Sequence, residues 1–274
     1  MYRIFCQAIC LLSLSGHSVV ALAFDLNELN YGFSTYLGTG IYKIADRDVQ
    51  VYQIPFSYKF NPDEDNKWQL ALRMPVTLGF YDFRSADVLN GGLPDKVSTY
   101  SFVPGLEALY PVLDNWLLGA FFDIGFVENM ETNETNTLYG AGFISRYEHQ
   151  YAESILTVAN KLLYAKDEGS NIEQADDFAY LETGLDLRFP SNLSINNRKI
   201  DFSVYYANYR YFDNLDFLRP GKRPVEVVIQ NEVGFTVGLR RPIKYKYLEI
   251  PRLGIGYRFG DDLTIIRIII GSAF

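Results

Sequence analysis

Over most of this chain, hydrophobic residues recur at every second position, the periodicity of a strand with one apolar face. The clearest run is Trp68–Tyr81. Trp68, Leu70, Leu72, Met74, Val76, Leu78 and Phe80 share one face, and Gln69, Ala71, Arg73, Thr77 and Gly79 share the other. Seven apolar positions at strict period two cannot form a helical stripe, which would need spacings of three and four. The same alternation predicts strands over Gln50–Phe60, Thr99–Tyr110, Trp116–Val127, Phe178–Phe189, Ile200–Tyr211, Val225–Arg240 and Tyr247–Phe259. It is weaker over Tyr31–Ile44, Leu138–Tyr147 and Ala152–Tyr164. The final stretch, Leu263–Phe274, sets Ile266, Ile268, Ile270 and Phe274 against Ile265, Arg267, Ile269, Gly271 and Ala273. The expected total is about twelve strands.

The links between these strands follow a rhythm of their own. Links after even-numbered strands are fairly short: Asn61–Lys67, Pro111–Asn115, Glu148–Tyr151, Pro190–Lys199 and Arg241–Lys246. Several links after odd-numbered strands are longer and more polar: Asp82–Ser98, Glu128–Thr137, Ala165–Asp177 and Phe212–Pro224. Those around Asp46 and Asp261 are short and depart from the trend. Tight turns at one end and long loops at the other characterise an up-and-down transmembrane barrel. A soluble sandwich would instead carry polar residues on its exposed strand faces. The expected fold is therefore all-β, a transmembrane antiparallel up-and-down β-barrel forming one domain.

Composition and charge narrow this further. The N-terminus, MYRIFCQAICLLSLSGHSVVALA, has a basic Arg3, an apolar core and small residues at Ala21 and Ala23. It reads as a secretory signal peptide spanning residues 1–23, cleaved before Phe24 and leaving residues 24–274 as the barrel domain. Cys6 and Cys10, the two cysteines of the chain, both fall within it, so disulfides do not stabilise the mature product. The mature chain keeps 24 of the 25 basic residues and all 33 acidic ones, an acidic balance that argues against nucleic acid as a partner. With 21 tyrosines, 20 phenylalanines and 3 methionines, the composition suits strands and membrane-interface belts.

The ending on Phe274, preceded by alternating Ile266, Ile268 and Ile270, resembles the assembly signal of bacterial outer-membrane barrels, although Ser272 and Gly271 depart from the usual pattern. Together with segments such as VYQIPFSYKF and LALRMPVTLGFYDF, the mature chain resembles the solitary outer-membrane autotransporter-like barrels. That resemblance implies residence in the bacterial outer membrane, and outer-membrane lipid and the barrel-assembly machinery as partners. Autotransporters thread a helix or linker through the pore, and Phe24–Asn30 is too short to supply much of one.

Catalytic chemistry finds little support. His149 is the single histidine after the signal and is expected in the turn Glu148–Tyr151; no Gly-x-Ser-x-Gly elbow surrounds a serine. No enzyme activity, metal site or cofactor is expected. The inward faces are richer. Arg73, Arg188, Arg252, Arg258 and Arg267 are expected in the lumen with Glu107, Asp123, Glu182, Asp186 and Glu232. They form either an ion-pair network that fills the barrel or the lining of a small-solute or ion channel. The first reading makes the chain a structural or surface-interaction barrel, monomeric, with ligand-binding loops at residues 82–98 and 212–224; the second makes it a narrow porin. Lumen-facing glycines are expected at points of tight curvature.

Overall fold

The computed structural model describes residues 35–44, 47–60, 67–81, 97–130, 133–169, 176–217, 225–240, 244–245, 248–249, 252–261, 263–271 and 273–274. The signal segment, Ala21 and Ala23 included, lies outside them, as do most of loop 82–98 and residues 218–224 of the other expected binding loop. The strands are β1 (Gly40–Ile44), β2 (Arg47–Lys59), β3 (Gln69–Tyr81), β4 (Thr99–Phe102), β5 (Gly105–Leu113), β6 (Trp116–Asn129), β7 (Glu134–Tyr151) and β8 (Ser154–Glu168). They continue as β9 (Asp176–Ile195), β10 (Arg198–Phe217), β11 (Val225–Leu239), β12 (Lys244–Tyr245), β13 (Leu248–Glu249), β14 (Leu253–Gly260) and β15 (Leu263–Ile270).

The wall strands pair antiparallel in chain order, with β11 meeting β14, and β1 pairs with β15 from Gly40↔Arg267 to Ile44↔Leu263, which closes the sheet. β4 and β5 occupy one position between β3 and β6. The break between them falls at Val103–Pro104, where proline cannot donate to the ladder; the Pro104 carbonyl still accepts from Ile124 N at 2.9 Å. β12 and β13 pair only with each other, in a separate two-stranded hairpin. The wall thus has twelve strand positions, the number expected from the alternation.

The alternation fixes which face each residue takes. Ile54, Phe56, Tyr58, Leu70, Leu106, Phe122, Ile124, Phe143, Val233, Phe235, Ile255, Ile266, Ile268 and Ile270 all lie exposed on the outer surface. Closure removes the sheet edges that such strands would otherwise present. At one end, here the turn end, the chain reverses through Asp114–Asn115, Ala152–Glu153 and Asn196–Asn197. Asn196 and Asn197 both have positive φ, 50° and 61°, matching the hairpin turn whose twist suits antiparallel strands. The opposite end, the loop end, carries the longer links.

The wall is uneven. β9 and β10 each run 20 residues, about twice what a tilted membrane-crossing strand needs, whereas β1 has five. Of the expected first strand, Tyr31–Ile44, residues 31–34 lie outside the described ones, residues 35–39 are not strand, and β1 begins at Gly40. Before it, residues 35–37 make one helical turn that packs inside the barrel. A short apolar helical turn with Thr35 and Leu37 nearly inaccessible has no outer face to show lipid, so it fills space in the lumen.

Candidate functional site

The lumen divides along the barrel axis. Its loop-end half is dry: Tyr42, Val51, Leu138, Leu163, Phe178, Val227, Leu263 and Ile265 are essentially inaccessible, with Tyr180 and Tyr211 beside them. The turn at residues 35–37 completes this packing. Leu37 joins the cluster, and the Tyr36 ring meets Phe178 edge-on at 5.9 Å. Polar bonds pin the turn to the wall. Gln53 Nε2 donates to the Thr35 carbonyl at 2.7 Å, and the hydroxyls of Thr35 and Ser101 lie 2.9 Å apart. Tyr42 donates its hydroxyl to the Gly38 carbonyl.

At mid-height sits a buried charged knot. Glu232 on β11 is wholly inaccessible and receives Arg258 Nε at 2.7 Å, Arg267 Nη1 at 2.8 Å and the Tyr205 hydroxyl at 2.6 Å. The Tyr209 hydroxyl reaches both Glu182, at 3.2 Å, and Glu232, at 3.3 Å. Arg258 lies over the Tyr209 ring with 3.6 Å to its centre. One carboxylate shared between two guanidiniums holds only because several hydrogen bonds offset the loss of water around three ions.

A second knot joins β3, β5 and β6. Arg73 contacts Asp123 at 2.5 Å and Glu107 at 3.6 Å, and its guanidinium lies 4.3 Å from the centre of the Phe121 ring. Nearer the turn end, Arg252 Nε donates to Thr236 Oγ1 at 2.9 Å and Arg240 Nε to Asp201 Oδ1 at 3.0 Å. Asp186 lies within the field of Arg252, Arg188 and Arg146. Of the ten charged residues expected in the lumen, Arg73, Glu107, Asp123, Glu182, Glu232, Arg252, Arg258 and Arg267 bond or pair with other side chains of the wall. Sequence reading missed Lys161, Asp201 and Arg240, along with the tyrosines that knit the knots together. Lys161 belongs to the weakly alternating segment of β8, where Ala159 and Leu163 share its inward parity and gave no polar signal.

Three expectations need correction. Phe274 does not share the lipid face of Ile266, Ile268 and Ile270. Gly271 has a positive φ of 120°, β15 has ended, and the Phe274 ring enters the lumen to meet Tyr205 edge-on at 5.7 Å. An alternating pattern carries no information past the residue where a strand stops. His149 lies not in a turn but within β7, exposed and opposite Leu156, because that strand continues to Tyr151. Several inward glycines make room rather than curvature. A Cβ at Gly184 would collide with the Phe274 ring, and one at Gly140 with the Tyr36 hydroxyl.

Between the turn at residues 35–37 and the turn end lies a cavity of about 330 Å³, bordered by Gln53, Ser57, Arg73, Glu107, Asp123 and Lys161. Among the described residues no cluster of histidine, cysteine or carboxylate groups has the makings of a metal site.

The closed twelve-position architecture is the one that a resemblance to autotransporter-like barrels implies. No family model matches the chain, and no curated protein does. Among solved structures, the chain is similar to the β domain of the Bordetella autotransporter BrkA. The match covers 83% of this chain and 91% of that one, at 9% sequence identity and a TM-score of 0.48.

Proposed function

We propose that this chain is an outer-membrane β-barrel of autotransporter-like type whose lumen is sealed, and that it acts through its surfaces as a structural or surface-interaction protein. Outer-membrane lipid surrounds it, the barrel-assembly machinery inserts it, and it works as a monomer without enzyme activity. The segments 82–98 and 212–224, the second of which begins within β10, would carry any extracellular ligand. The observation that carries the sealed reading is the dry loop-end half of the lumen, where Tyr42, Leu263, Ile265 and Val227 are each fully inaccessible. The membrane reading is supported by the exposed apolar belt. Residues such as Ile54, Phe122, Phe143, Phe235 and Ile268 would be an aggregation hazard in water and are ordinary against lipid. The competing conduit would use the charges at mid-height, yet those charges contact one another.

Two measurements test this. Ile266→Arg places a charge in the belt and should destabilise the lipid-embedded barrel by about 2–4 kcal/mol if that residue lies near the bilayer midplane. A neutral effect would sink the membrane reading. Single-channel recording of the refolded chain in a planar bilayer should be silent when a heat-modifiable gel shift confirms folding. Reproducible conductance steps would establish the narrow channel instead.

A further inference from the structure

The cavity on the turn-end side of residues 35–37 is built around an unspent cation. Its wall brings together Tyr36, Gln53, Ser57, Arg73, Glu107, Asp123 and Lys161. Asp123 and Glu107 are engaged by Arg73, so both carboxylates on this wall already have a counter-charge. Glu182 stands opposite Lys161 across the β8–β9 pairing and is the main carboxylate acting on it, but it accepts from Tyr209, and Lys161 makes no hydrogen bond or close ion pair with any described residue. Its Nζ instead rests 5.5 Å from the centre of the Phe121 ring and 5.9 Å from that of Tyr180. Rings of this kind offset part of an ammonium's lost hydration but satisfy none of its three N–H donors.

Two further donors on the same wall are also unspent. Arg73 Nε and the Tyr36 hydroxyl are both buried with no hydrogen bond of good geometry, the hydroxyl lying beside the Asp123 carboxylate that Arg73 already holds. Burying a donor unsatisfied costs free energy, and two such donors stand on this wall beside the ammonium of half-buried Lys161. The cavity volume is about that of the smaller ligand sites in proteins. The dry half of the lumen closes it on the loop-end side, so a ligand enters from the turn end.

We infer that this cavity is a binding site for a small oxyanion, a carboxylate or a phosphate, held by the Lys161 ammonium with the Tyr36 hydroxyl and the Arg73 guanidinium edge beside it. The ammonium supplies the charge, and the neutral hydroxyl and guanidinium edge supply direction. The site does not depend on the surface role proposed above, because a sealed barrel with an empty cavity would fill that role equally well.

Calorimetric titration of the refolded chain in neutral detergent tests it, with sodium phosphate and sodium acetate as separate titrants. The expected result is saturable binding of at least one of them, and the preferred titrant tells phosphate from carboxylate. Lys161→Met should weaken binding roughly tenfold or more, the loss of a charge-assisted hydrogen bond, while Lys161→Arg retains it. Tyr36→Phe keeps the ring and its packing and should weaken binding by about threefold. The gel shift establishes that each variant is folded; should Lys161→Met fail to fold, Tyr36→Phe carries the test. Heats that match dilution for both titrants would overturn the proposal. So would binding unchanged in folded Lys161→Met, or in Tyr36→Phe where that variant stands in.

Discussion

The two halves of the lumen solve the same problem by opposite means. A twelve-strand barrel encloses more space than its walls fill unaided, and inward glycines such as Gly140 and Gly184 leave more of it open. Toward the loop end the space is taken by tyrosine, isoleucine and leucine packed against the turn at residues 35–37. Toward the turn end it is taken by arginines, carboxylates and hydroxyls bonded to one another, with a cavity left over. The dry half gains stability from burial and loses it through any missing atom. The wet half depends on complete partnering, and it tolerates loss wherever water reaches the bereaved group.

The sharpest way to probe that contrast is at the border. Glu232→Gln leaves Arg258 and Arg267 buried without their shared counter-charge. It should lower stability by about 3–5 kcal/mol, read as the urea midpoint of the heat-modifiable form. Ile265→Ala opens a void in the dry half and should cost about 2–4 kcal/mol in the same measurement. Gly184→Val drives a side chain into the Phe274 ring and should cost about 1–3 kcal/mol; tyrosine fluorescence should shift as Phe274 leaves Tyr205. Arg146→Ala breaks a partly exposed pair with Glu148 and should change the midpoint by no more than about 0.5 kcal/mol. If Arg146→Ala proved as costly as Ile265→Ala, the turn-end half would be drier than its geometry implies.

How much of this was legible beforehand follows from the same physics. Lipid imposes one rule on every outward residue, so Trp68, Leu70, Phe122 and Ile268 announce their side through spacing alone. Inward residues obey no common rule. Arg73 finds Asp123 fifty positions away, and Arg267 finds Glu232 thirty-five away, each across an intervening strand. Alternation shows that such residues share a lumen and says nothing of which will touch. The segment Ile200–Tyr211 hides its sorting, since Tyr205 and Tyr209 turn inward while Tyr206 turns outward, and all three are tyrosine. The turn at residues 35–37 left no periodic trace, being too short for a helical stripe and off the strand period.

The five pairs between Gly40–Ile44 and Leu263–Ile270 join the two ends of the wall. Until they form, the sheet is an open ribbon whose two flanks, more than two hundred residues apart in sequence, each offer unpaired amides and carbonyls to any strand nearby. A chain synthesised from one end makes the second flank last. For all that time its apolar belt and both flanks are exposed together, which makes the interval before closure the moment when this protein most needs an escort.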